Sequence, residues 1–428
     1  MFNPPTFHRS ISFFLNLSVA YFFIALVIIP KAYGTGVVLA TVGLLLFIFY
    51  AFRAREKCFL DSSCYAFVVA FCFYFFIYLL DVLIHQDSTK ILDGPSRALT
   101  FLFVFYLFKN YPIKLQLLLY VIPLGGIISG LFSFYQVNIL HYNRAFQFSY
   151  QMPIQFGDIS MSLGMFCAAI FFYSWNKKLN FLSILCVTGI IGGVIGSLFS
   201  LSRGGWLLSP FILLILLYLN RTIFSKKAII GCILTFLVAF SLIISMNTPI
   251  KSRIEIVYQQ ITNILSNRQL SNLPNDGSVS PRLELWKAGL LAIQEKPLFG
   301  WGDKGADTKR AQQAKQGIIS EHDGQYGHSH NQFLNDTLER GVIGLLSLLA
   351  VFLFPLWQFF KAYRENKDNL EVRLLATLGI IHITSVMSYG LTQVFFAHNS
   401  GNMFYFFLTV LFYAMLLEYK KQTMHLNK

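Results

Sequence analysis

The chain is 428 residues long, 55% hydrophobic, 17% aromatic and 13% charged, with 45 Phe and a formal net charge of +14. So apolar a composition excludes an ordinary soluble domain and fits an all-α, polytopic transmembrane helical bundle. It also excludes nucleic acid as a partner, because the basic residues are scattered over short segments between apolar runs and form no patch.

The first apolar runs, 11–30 and 33–52, are about as long as the ~20 residues a spanning helix needs. No small-residue cleavage site follows the first, so it reads as a retained span. Next come 64–84, then 98–108 with its flanks, the weakest of the set because Pro112 follows so closely, then 115–137, 157–175, 179–202, 205–219 and 228–246. Gly126 and Gly130 in one run, and Gly189, Gly192, Gly193 and Gly196 in another, make small-residue faces that permit close helix approach. A long polar segment intervenes, and runs at 341–360, 372–392 and 402–418 bring the count to about 12 spans. The cysteines, Cys58, Cys64, Cys72, Cys167, Cys186 and Cys232, lie in or beside these runs, which argues against structural disulfides.

Charge orients the bundle. With the N-terminus in the cytoplasm, eighteen Lys and Arg, from Arg9 and Arg53 to Lys421 and Lys428, fall on inner segments. Five fall on the short outer loops: Lys31, Lys90, Arg97, Arg144 and Arg203. This positive-inside bias predicts cytoplasmic termini and an external polar segment. The expected organisation is spans one to nine at 1–246, a large periplasmic helical loop at 247–340, and spans ten to twelve with a cytoplasmic tail at 341–428.

The loop holds 11 of the 34 Lys and Arg and 10 of the 20 Asp and Glu, and a folded, charge-balanced segment of this kind is where chemistry is expected. Ser271 to Ser280 is rich in Asn, Ser, Pro and Gly and reads as a lid or turn. Ser280-Pro281 followed by Leu283, Trp286, Leu290 and Ile293 predicts a helix that ends before Pro297. Ser329 with Gln332 three residues on is a capping-box pattern, predicting a helix that begins at His330 and runs into the tenth span.

The candidate residues cluster at the outer face. Arg203, in Ser202-Arg203-Gly204-Gly205-Trp206-Leu207, has two glycines beside it that let backbone approach an anion closely. Arg144 stands in the preceding outer loop, where contact with lipid headgroups or Asp158 is the simpler role. Arg282 falls at the second position of the loop helix, where free backbone amides and the helix dipole favour an anion; a salt bridge with Glu284 is the alternative. Arg203, Arg282 and Arg144 on one side of the membrane, with no phosphate-cradling loop and no Asp-rich motif, suit direct binding of a pyrophosphate by charge.

His330, at the positive end of a helix, is held in the neutral form that a general base needs, with a structural capping role as the alternative. His322, His328 and His330 match no familiar zinc spacing, so no metal is expected. Asp81 and His398 are placed to line the same cavity.

The layout of spans with one late external loop, the Arg-x-x-x-Leu element at Arg203 to Leu207, and the His-Asn-x9-Gly-x-x-Gly element at His330, Asn331, Gly341 and Gly344 resemble the O-antigen ligase and polymerase superfamily of bacterial inner-membrane glycosyltransferases. The resemblance implies attack by a sugar hydroxyl on a glycan carried by undecaprenyl pyrophosphate, with no cofactor. It implies His330 as the base, with Arg203 and Arg282 on the pyrophosphate and His328, Asn331, Gly341 and Gly344 in support. The partners it implies are that lipid-linked donor, membrane lipids and, for a ligase, the lipid A-core acceptor. One dominant outer loop favours a ligase over a polymerase, whose acceptor is another lipid-linked repeat. A protein-glycosylating transferase is a further enzyme alternative. A lipid or polysaccharide transporter, from a different class, would be expected to show internal repeats and ionisable residues deep in the spans.

Overall fold

The structure is a computed structural model that describes residues 4–54, 62–147, 152–202, 204–205, 209–221 and 280–426. Its helices are α1 (Pro4–Ala25), α2 (Thr35–Ala54), α3 (Ser62–His85), α4 (Asp93–Asn110), α5 (Leu115–Phe134), α6 (Pro153–Asn176) and α7 (Asn180–Phe199). These are followed by α8 (Ser209–Leu219), α9 (Ser280–Glu295), α10 (Asp303–Lys315), α11 (Gln332–Glu365), α12 (Leu370–Gly390) and α13 (Asn399–Leu426). Among the described residues 9 stretches are helical, long and apolar enough to cross a membrane, and none is a strand. The protein is an all-α polytopic membrane protein.

The apolar runs of the sequence map onto these helices with three differences. The first run forms α1, which is not among the nine stretches long and apolar enough to span. The run that looked too short extends from Thr89 to Asn110, 22 residues, because a 3-10 turn at Thr89–Leu92 leads straight into α4. The run 205–219 yields only an 11-residue helix, α8, among the described residues. The run 228–246 and the turn segment 271–279 lie outside the described residues.

Helix α13 is apolar on all sides and is accordingly buried, from Met403 through Leu416. Helices α5 and α7 meet through the expected glycines: a Cβ on Gly126 would lie 2.6 Å from the Gly189 carbonyl oxygen. One end of the bundle carries exposed ion pairs, Lys177 with Glu371 and Lys420 with Glu365, each at 3.0 Å. The other end carries the loop helices α9 and α10.

Two devices join the loop to that end. Helix α10 has a glycine, Gly302, at its N-cap and hence no capping side chain of its own. Asp87, just beyond α3, supplies one, its Oδ2 accepting the Asp303 N–H at 2.7 Å. The second device is a break in α11 at Gly341, whose φ of 66° and ψ of −164° suit glycine alone. The break frees the carbonyls of Leu338 and Glu339, which accept N–H bonds from Trp301 (3.0 Å) and Gly302 (2.8 Å), while the Val342 N–H reaches the Pro297 carbonyl at 2.8 Å. The turn before α10 is thereby stitched into a membrane helix.

Candidate active site

Helix α9 forms where the sequence placed it, Ser280–Glu295, and it anchors the histidine segment: Trp286 Nε1 donates to the Ser329 carbonyl at 3.0 Å. Ser329, 1% exposed, donates its N–H to Asn335 Oδ1 at 3.0 Å, and Asn335 Nδ2 donates to Glu339 at 2.7 Å. Ser329 therefore does not cap α11. That cap is Asn331, whose Oδ1 accepts the Leu334 N–H at 3.1 Å and whose Nδ2 donates to the Leu391 carbonyl at 3.3 Å, tying the start of α11 to the end of α12. Ser329 and Asn331 are both good capping residues, so the sequence alone placed the helix start too early.

His330 consequently precedes the helix and is not in its first turn. It adopts a left-handed φ of 50°, uncommon for a side-chain-bearing residue and held only where neighbours over-determine it. Its own N–H donates to His328 Nδ1 at 3.3 Å. Because that nitrogen accepts, His328 is neutral with its proton on Nε2. The two rings meet edge to face with centroids 4.3 Å apart, and Tyr326 packs on His330 at 5.2 Å.

Burial first, then the neighbouring His328 and the cations Arg282 and Arg310, push the His330 pKa down to about 3. Burial, His398 and the same arginines hold His328 at about 4. Both imidazoles are therefore uncharged at neutral pH, and each keeps a lone pair.

Arg282 is electrostatically coupled to both histidines and to Asp158 in α6. Asp158, fully buried, accepts from Ser202 Oγ at 2.7 Å and from the Gln393 side-chain amide. Gly205 lies so close that a Cβ would come 3.0 Å from the same carboxylate. Ser202, Gly204 and Gly205 thus gather around Asp158, and the charge at the start of α9 reaches both this carboxylate and the histidine segment. Arg203 lies outside the described residues, but both of its flanks, Ser202 and Gly204, are at this point. Arg144 donates through Nε (2.9 Å) and a terminal nitrogen (2.6 Å) to the Ser200 carbonyl at the end of α7, and so holds the segment that leads to Arg203.

Gly344 keeps α11 clear of the Arg340 side chain, since a Cβ there would come 2.4 Å from Arg340 Cβ. Arg340 is buried and bonded to Asp336 (2.9 Å) and Glu339 (2.6 Å), with Asp81 at 3.4 Å and the Tyr78 ring 3.5 Å beneath it. Asp81 thus serves this network, whereas His398 lines a cavity together with His328. Among the described residues no group of three or more His, Cys, Asp or Glu is arranged to hold a metal ion.

Sequence reasoning missed Arg310, which is buried and donates to Asp307 at 2.7 Å and to the Tyr326 carbonyl. It gave Asp158 only a passing role. A carboxylate inside an apolar run was the available signal for Asp158; Arg310 sits in a polar helix, where nothing distinguishes it.

A family model described as O-antigen ligase matches residues 188–349, a stretch that contains the Ser202–Gly205 segment, Arg282 and the histidines. An uncharacterized protein of Haemophilus influenzae is 34% identical over 400 residues, covering 93% of this chain and 97% of its own. A protein of Escherichia coli named O-antigen ligase is 24% identical over 335 residues, covering 72% and 73%. The chain belongs to this O-antigen ligase family. It is a membrane enzyme of the ligase and polymerase superfamily.

Proposed function

We propose that the protein is an O-antigen ligase of the bacterial inner membrane, with cytoplasmic termini and its site facing the periplasm. It transfers a glycan from undecaprenyl pyrophosphate to a sugar hydroxyl of lipid A-core. What supports this reading is that the charge of Arg282 reaches His328, His330 and Asp158 alike, while Ser202 and Gly205 stand against the Asp158 carboxylate.

In the reaction the acceptor oxygen attacks the anomeric carbon, and its proton passes to a ring nitrogen of His330. The bond from the anomeric carbon to the pyrophosphate oxygen breaks, and the lipid pyrophosphate leaves with the electron pair. Arg282 and Arg203 stabilise the charge gathering on that leaving group. Arg144 holds the Arg203 segment, and Asn331, Gly341 and Gly344 fix the start and course of α11. The large loop acts as the catalytic subdomain between the two sets of spans.

The test is the lipopolysaccharide of a deletion strain. Loss of all long-chain glycan from the core, with lipid-linked polymer accumulating, is the expected result; a core carrying a single repeat would assign a polymerase instead.

A further inference from the structure

We propose that the polar cavity beside His328 is the acceptor subsite and that it selects a sugar free of phosphate and carboxylate groups; this rests on the reading of His330 as the base of a glycan transfer. The cavity measures about 550 Å³ and is lined by Tyr78, Asp303, Glu339, Arg340, His398 and Asn402 as well as His328. That volume falls in the roughly 300–1,000 Å³ range of small-ligand sites.

The lining fits a sugar: hydroxyls find acceptors in the carboxylates of Asp303 and Glu339, and Tyr33, half-buried in the same wall, offers an apolar face to the C–H surface of a sugar ring.

The charge excludes an anion. Arg340 looks cationic from the sequence, but Asp336 and Glu339 neutralise it at 2.9 and 2.6 Å, with Asp81 at 3.4 Å. Asp303 adds a further carboxylate to the wall, Asp93 being paired with Arg97 at 2.7 Å, against an exposed Lys90. A phosphate entering here meets net negative charge, whereas hydroxyls or an amine find acceptors. Arg282, whose charge reaches both histidines, does not line this cavity, so the part of the site that favours an anion is distinct from the part that favours hydroxyls.

The experiment uses purified full-length protein in nanodiscs. It measures binding of deacylated core oligosaccharide, with its phosphates and after enzymatic dephosphorylation, and separately of undecaprenyl pyrophosphate. Wild type should bind the dephosphorylated oligosaccharide more tightly. Ala397→Trp, at an exposed position of the wall, should lose the oligosaccharide and keep the lipid. Asp303→Asn should narrow the preference by raising affinity for the phosphorylated form severalfold. Equal or better binding of the phosphorylated form by wild type, or loss of the lipid with retention of the oligosaccharide in Ala397→Trp, overturns the proposal. Since these are binding measurements, oligosaccharide held in the cavity of a protein that transfers nothing would count against His330 as base and still support the subsite.

Discussion

Arg282 at the start of α9 and His330 ahead of α11 lie on separate segments of the chain, yet the charge of one acts directly on the other. Behind burial and the His328 ring, the guanidinium helps to hold the imidazole unprotonated. A base kept free by a cation gains proton affinity when a dianion pairs with that cation. Binding the lipid pyrophosphate would therefore raise the His330 pKa at the moment a proton must be accepted.

This gives a pH signature. A lowered pKa means that protonation of His330 sets in only near pH 3, so kcat/KM should show no acid limb between pH 8 and about 5 from this group. The limb in kcat, which reports the donor-bound state, should lie at higher pH than the limb in kcat/KM. An acid limb near pH 6.5 in kcat/KM, the ordinary value for histidine, would contradict the site as described.

His330→Ala should lower transfer roughly 10²–10⁴-fold with membrane abundance unchanged. His328→Ala should cost less, because His328 orients the His330 N–H and need not take the proton. Steady-state transfer from a synthetic lipid-linked donor distinguishes them, and a reversed order of severity would move the base to His328.

Arg282→Lys keeps the charge and loses the fork, so it should cost about 10-fold or more, in line with the ~1.5–3 kcal/mol of a charged hydrogen bond. Combined with Arg203→Lys the loss should be less than the product of the two, since both groups serve one dianion. Purified single and double variants provide the measurement; full activity in either would place the pyrophosphate elsewhere.

Gly341→Ala forces a side chain into a backbone region reserved for glycine, at roughly 1–3 kcal/mol, and brings its Cβ within 2.1 Å of the Leu298 carbonyl oxygen. Thermal unfolding in detergent should fall by several degrees. A variant as stable as wild type would mean that α11 is continuous there.

Asp87→Ala removes the cap of α10 at a cost of about 0.5–2 kcal/mol. Hydrogen exchange at the Asp303 and Lys304 amides, both within reach of the Asp87 carboxylate, should accelerate ahead of the rest of the loop.

What the sequence showed and what it hid divide along a physical line. Helix α9 was legible because its start, stripe and stop are all local: Ser280, Pro281, the leucines and Pro297. The glycine contacts of α5 with α7 were legible because only backbone approach explains such a cluster. The left-handed His330, the Asp87 cap and the Arg340 network were not, since each depends on a partner distant along the chain. Only the fold brings Asp81 to Arg340 from α3.

The break at Gly341 makes the loop part of the internal accounting of a membrane helix. If α9, α10 and the turn between them were excised, the buried carbonyls of Leu338 and Glu339 would lose their donors, Trp301 and Gly302. Transplanting the loop between relatives should therefore succeed only when the first turns of α11 travel with it, and acceptor range should diverge by substitution within the cavity walls sooner than by exchange of whole loops.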